Sequence, residues 1–187
     1  MRGSSLGDAF GICWFLKHVG GVTTVGHGGS ANGQFADLLL VPERDFAVAV
    51  MSNAGPDSGM AFNQAILTWA LEEYLGVVEQ APEPLPYDAT RASEVAGRFG
   101  NEVMVLTITD DGEKLAIACD VRPEIRASSE IELPADLPPA LMGLLPGETG
   151  EFIITEGGLA NQRGIFTRDQ SGAIIAADLA GRTFARE

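Results

Sequence analysis

The pattern of apolar and polar positions changes character near residue 81. Before it, residues 10–19 are apolar and aromatic and close on Gly20-Gly21, a hairpin signal. Residues 22–25 continue as a second strand into Gly26-His27-Gly28-Gly29. Residues 35–41 read as a third strand, and Pro42-Glu43-Arg44-Asp45 is turn chemistry. Residues 46–51 are almost wholly apolar, which predicts a strand buried on both faces. Over residues 58–75, Phe62, Ile66, Trp69, Ala70 and Leu75 recur at helical spacing, and Gly76 stands where a C-terminal cap belongs. A sheet with two apolar faces needs a layer on each, and one helix cannot cover both. The pattern therefore predicts that a further segment or a partner supplies the missing layer.

Beyond that point the pattern is of short alternating runs. Residues 103–109, 115–119, 124–131, 151–155, 162–167, 173–178 and 182–185 read as strands, with 90–96 as a helical turn. Asp110-Asp111-Gly112-Glu113, Glu156-Gly157-Gly158 and Asp169-Gln170-Ser171-Gly172 read as tight turns between them. Such spacing predicts a small antiparallel β-barrel or sandwich, with the Pro- and Leu-rich insert 134–146 over one end. Val103, Val105, Leu115, Ile117, Phe152 and Ile154 are candidates to fill its interior. Between the halves, Ala81-Pro82-Glu83-Pro84-Leu85-Pro86-Tyr87 forbids a helix and favours an extended linker. The expected fold class is α+β: a partial antiparallel sheet with one C-terminal helix over 1–80, a Pro-rich linker over 81–92, and a small antiparallel barrel over 93–187.

Composition narrows the function. Hydrophobic residues make up 45% of the 187, enough for a packed core. Twelve basic residues against 26 acidic give a net charge of −14, spread over both halves. That excludes a nucleic-acid binder, which needs clustered Lys and Arg, and opposes docking on anionic lipid. Cys13 and Cys119 are too few for a disulfide framework or a four-ligand zinc site. No apolar run approaches the roughly 18–20 residues of a membrane span. Nothing implies a cofactor. Residues 1–7 carry no leader pattern, so the expected compartment is open: cytoplasmic, or exported with the signal upstream of this chain.

The sharpest local signal is Val25-Gly26-His27-Gly28-Gly29-Ser30-Ala31-Asn32-Gly33. It is either a Gly-rich turn with a surface histidine or a strand edge on which a substrate lies. Glycines let another backbone approach closely, and a histidine can bond or charge-pair a carboxylate. No Lys follows, so it is not a phosphate loop. A Ser30–His27–Asp37 triad can be written down, but nothing here has the form of a nucleophile elbow. His18 reads as solvent-facing, Trp14 and Trp69 as core, and Asp110-Asp111 and Glu72-Glu73 as turn and helix surface.

Taken in order, Gly11-Ile12-Cys13-Trp14, Gly26-His27-Gly28-Gly29, Gly33, Val41-Pro42, Val48–Met51 and Ser52-Asn53 resemble the C-terminal stretch of the serine β-lactamase-like superfamily. The branch resembled is the class C β-lactamase, penicillin-binding protein and esterase group. The second half is similar to the lipocalin-like barrel that many of those proteins carry. The resemblance implies that His27 holds the third-motif position, with His27, Gly28, Gly29 and Ser30 binding substrate. It implies a parent that transfers acyl groups from peptides, esters or lactams. The chain lacks Ser-x-x-Lys, since only Lys17 and Lys114 are present, preceded three positions earlier by Trp14 and Asp111. Tyr74 and Tyr87 do not supply the Tyr-x-Asn motif. The expectation is a nucleophile-free portion of a hydrolase, inactive alone, whose partner is the missing N-terminal half or its own apolar sheet face. The alternatives are a non-catalytic ligand-binding or regulatory barrel module, and one half of a split hydrolase.

Overall fold

The computed structural model describes residues 6–31, 33–80, 82–130, 133, 136, 138–147 and 150–187, with the side chains of 55–58 left aside. The chain folds as two compact units, Leu6–Ala81 and Pro82–Glu187.

In the first unit β1 (Ala9–Gly11), β2 (Trp14–Val19), β3 (Val22–Ala31), β4 (Gln34–Val41) and β5 (Phe46–Ser52) lie side by side in chain order. Every pairing is antiparallel. The β2–β3 turn is Gly20-Gly21, at φ 53° and 83°, the left-handed pair that a two-residue hairpin needs. A 3-10 turn, Pro42–Arg44, and Asp45 at φ 51° join β4 to β5. The helix α1 (Gly55–Leu75) packs on β4 and β5. Gly76 ends it at φ 64°: its N–H donates to Glu72 O at 2.9 Å, and Val77 N–H donates to Leu71 O at 3.1 Å. The first of these is the 5→1 bond of an αL stop, and Leu71 and Val77 bury an apolar contact beside it.

Pairing sets which residues share a face. Phe35 and Ser52, Asp37 and Val50, Leu39 and Val48, and Val41 and Phe46 pair across β4 and β5 on the side of α1. A small core of Val19, Val22, Val41, Leu71 and Val77 forms there. The opposite face carries Leu38, Ala47, Ala49 and Met51, all exposed, Met51 at 81%.

In the second unit, α2 (Ala89–Val95) precedes β6 (Gly97–Gly100), β7 (Met104–Asp110) and β8 (Leu115–Val121). A short helix, α3 (Pro123–Ser128), leads towards β9 (Ala140–Leu144) and β10 (Glu151–Ile154). β11 (Arg163–Arg168), β12 (Ile174–Leu179) and β13 (Arg182–Arg186) follow. These eight strands close into an antiparallel barrel in the order β10-β11-β12-β13-β6-β7-β8-β9, with β9 paired to β10. Phe99, Phe152, Phe184, Leu106, Ile117 and Ile154 are fully buried inside it, and Ala92 and Val95 of α2 join the same core. Asp88 caps α2, accepting from Arg91 N–H at 2.9 Å. The Pro-rich stretch lies against the barrel wall: Leu85 N–H donates to Leu144 O at 2.7 Å, and Pro84 occupies the space a side chain at Gly143 would need.

The fold is α+β, a five-stranded sheet and a closed eight-stranded barrel with few helices. The barrel strands follow α1, so that helix is C-terminal to the sheet alone. Several expectations are corrected. Residues 10–19 are two strands, turned at Ile12-Cys13 with Cys13 at φ 63°. β5 is not buried on both faces: its small residues at 47 and 49 hide the alternation in the sequence while their face stays open. The stretch 124–131 is not a strand; Pro123 pre-sets φ for a first helical turn, and α3 forms. The insert contributes a barrel strand, β9. Val103 is exposed, whereas Val105, Leu115, Ile117, Phe152 and Ile154 are buried in the barrel unit, the last four within its main core. Trp69 and Phe62 are 52% and 51% exposed; α1 buries Gly59, Asn63, Leu67, Ala70 and Leu71 instead. Asn32, Ala81, Ile131 and Pro134, which fall in the expected motif, linker, strand and insert, lie outside the described residues.

Candidate functional site

β3 is the strand that carries the motif, and it outruns its neighbour. β2 pairs with it only as far as Phe15 opposite Gly26. β4 pairs along its whole far half, from His27 opposite Leu38 to Ala31 opposite Gln34. On the β2 side, therefore, residues 27–31 present backbone N–H and C=O groups with no strand partner among the described residues. Such an edge is a template for an added extended backbone.

The glycines of this stretch have different physical reasons. A Cβ at Gly26 would stand 2.8 Å from Leu38 O, and one at Gly28 would overlap the Asp37 carboxylate. At Gly29 a Cβ would meet nothing within 4 Å. Gly26 is thus demanded by the β4 backbone, Gly28 makes room for the Asp37 carboxylate, and Gly29 leaves bare backbone facing open space. The strand end borders a cleft of about 660 Å³ lined by Gly29, Ser30, Ala31, Gln34, Phe35, Ala36, Met51, Ser52 and Asn53. His27 is exposed, and its ring stacks on Phe15, centroids 5.4 Å apart at 26°.

The structure does not assemble a Ser30–His27–Asp37 triad. Asp37 pairs with Gly28 and Ser30 with Phe35, so both lie on the α1 side, whereas His27 pairs with Leu38 on the other. Asp37 is engaged elsewhere: Asn63 of α1 donates its Nδ2 to Asp37 Oδ2 at 2.8 Å. Asn63 is 0% exposed, and its Oδ1 has no hydrogen-bond partner among the described residues; Ser52 Oγ is buried in the same condition. The Asp37–Asn63 pair is absent from the sequence-based expectations. Its one local signal is a polar residue in the stripe Gly59, Asn63, Leu67, Leu71, spaced four apart. His18 is exposed, and its backbone N–H donates to Asp8 at 2.7 Å.

Other chemistry is sparse. Burial pushes the Cys119 thiol up, Asp120 adds to the effect and Arg182 opposes it, which disfavours the reactive thiolate. Tyr87 is raised by its hydrogen bond to Asp110, 2.9 Å long, and by the negative charge around it. Among the described residues no group of three or more His, Cys, Asp or Glu side chains is set to hold a metal ion. No helix of the described residues is long and apolar enough to cross a membrane.

No protein-family model matches the chain, and no curated protein matches it. Among solved structures it resembles SurE in complex with D-Leu, with a TM-score of 0.59 and 21% identity over 97% of this chain and 39% of that one. It also resembles SurE alone, with a TM-score of 0.60 and 21% identity over 97% of this chain and 38% of the other. At that identity the likeness establishes the fold. The chain spans less than two-fifths of the SurE chains it matches. These comparisons return SurE and no support for the β-lactamase, penicillin-binding protein and esterase group. The motif-based assignment, and the hydrolase activity inferred from it, are therefore withdrawn. The geometry supplies a plainer reason for the motif: close packing against Leu38 and Asp37 accounts for Gly26 and Gly28 without any catalytic role.

Proposed function

We propose that the first unit is the ligand-holding sheet of a longer protein, and that the free edge of β3 receives the backbone of an amino acid or short peptide. The observation that carries this reading is the overhang of residues 27–31 beyond β2, with open space at Gly29. An extended ligand pairs with such an edge through main-chain hydrogen bonds, and the adjoining cleft takes its side chain. Gln34 and Asn53 supply polar groups to that cleft, and Phe35 and Met51 supply apolar ones. One of the similar SurE structures is a complex with D-Leu, an amino acid, which agrees in chemical class. His27, exposed beside the edge, donates a hydrogen bond to the ligand carboxylate in either of its charge states. The second unit has its interior filled by aromatic and aliphatic side chains, and in this reading it is a packed accessory module.

The test is titration of the chain with a D-Leu-containing dipeptide, followed by backbone amide shifts. Shifts concentrated on residues 27–31, and weakened roughly tenfold in affinity by His27→Ala, are the expected result, since a charge-assisted hydrogen bond is worth about 1.5 kcal/mol. Shifts confined to the barrel, or none at millimolar peptide, overturn the reading.

A further inference from the structure

We propose that Asp37 and Asn63 are positioning residues that hold the far half of β3 in the geometry needed at its free edge; this rests on the ligand reading above. Three observations converge on the point where β3 leaves β2. First, the Asp37 carboxylate occupies the place a Gly28 side chain would take, so one of its oxygens bears directly on the β3 backbone. Second, the other oxygen is tied to Asn63, which is fully buried in α1. Third, one turn earlier in α1, Gly59 lies so close to Phe35 that a Cβ there would overlap the ring. Helix, β4 and β3 are thereby keyed together at Gly28, and among the described residues β2 does not pair with β3 beyond Gly26, its contact there being the Phe15 ring stacked on His27.

Asn63 is also a costly choice for packing alone. Its Oδ1 is buried without a partner among the described residues, a condition that lowers stability. What the amide supplies and an apolar residue cannot is a donor fixed in direction towards Asp37. Neither side chain reaches the free edge itself: both lie on the α1 side of the sheet, so they act through the backbone of β3.

The experiment compares the chain with its Asn63→Ala and Asp37→Asn variants by hydrogen exchange, read at the β4-paired amides of residues 27–30 and at those of residues 22–25. The same dipeptide titration is run on each. Asn63→Ala is expected to speed exchange at 27–30 tenfold or more while 22–25 stay within twofold, and to weaken the dipeptide by a similar factor. Asp37→Asn keeps an acceptor for Asn63 and is expected to leave both near the parent values. Equal acceleration along the whole strand, or no change at 27–30, overturns the proposal. Should Asn63→Ala fail to fold, Asp37→Ala, which removes the acceptor at a half-buried position, is judged by the same two criteria. A parent chain that binds no dipeptide sinks the ligand reading, and the exchange contrast then decides the strand-holding role by itself.

Discussion

The two units solve the same problem of burying strands in opposite ways. The barrel closes on itself, so each of its strands is paired on both sides and one face of every strand meets a shared core. The sheet stays open: β1 and β5 are edges, one face carries exposed Leu38 and Met51, and the core beneath α1 is small. What the difference teaches is where function has room. In the closed, filled barrel every strand has a neighbour on each side, whereas among the described residues the open sheet leaves half of β3 with a neighbour on one side only, beside a cleft.

Substitutions that open a hole are expected to hurt the barrel most. Phe152→Ala removes a ring with 0% exposure that packs on Phe166 at 4.8 Å, and is expected to cost about 3–5 kcal/mol in denaturant unfolding followed in the second unit. Leu71→Ala in the sheet unit is expected to cost about 2 kcal/mol, at the low end for such a change, because its small core can collapse. Equal losses for the two would break the contrast. Gly76→Ala places a Cβ at φ 64° in the helix stop and is expected to cost about 1 kcal/mol, lowering the thermal midpoint of the sheet unit alone.

Acid is expected to act next on the barrel. Asp111 is held low by the N–H groups of Glu113 and Lys114, Asp169 by the hydroxyl and N–H of Ser171 with Ala173, and Glu187 by Arg122 and Arg98. A carboxyl with a lowered folded pKa contributes stability above its ordinary range and loses it as pH falls through the lowered value. The barrel's thermal midpoint is thus expected to decline as pH falls through and below the ordinary carboxylate range, and Asp169→Asn to flatten that decline. A decline unchanged by the substitution would show that Asp169 takes no part in it. Smallest of all, Met51→Ser on the open face is expected to change stability by less than about 0.5 kcal/mol in thermal unfolding. A larger loss would mean that the face is covered in the protein as it stands in solution.

Legibility follows the range of the interaction. Turns such as Gly20-Gly21 and Asp169-Gln170-Ser171-Gly172 are written in adjacent residues, and the structure has them: Asp169 accepts from Ser171 and Ala173 to close its loop. The cap at Gly76 is equally local. The buried face of α1 is hard to read because large apolar residues also stand on its exposed sides, so Phe62 and Trp69 outweigh the smaller Gly59, Asn63 and Ala70 that it buries. α3 is ambiguous because a run of six residues fits either period, and Pro123 is the better witness. The candidate edge is half legible. The glycines at 26–29 announce close approach, but the early end of β2 and the reach of Asn63 to Asp37, 26 positions away in sequence, exist only in three dimensions.

The pairing of β13 with β6 has a topological consequence. Ala185 lies opposite Gly100, Arg186 opposite Phe99, and Glu187 N–H donates to Arg98 O at 3.0 Å. The barrel's first and last strands are neighbours, so the ladder begins and ends at one corner, where Arg186 also bonds the end of α2 through Glu94 O and Ala96 O. A splice from Glu187 back to the Pro-rich stretch before α2, with new ends opened in the Asp111–Lys114 turn, would give a circular permutant with every ladder intact and α2 still in the core.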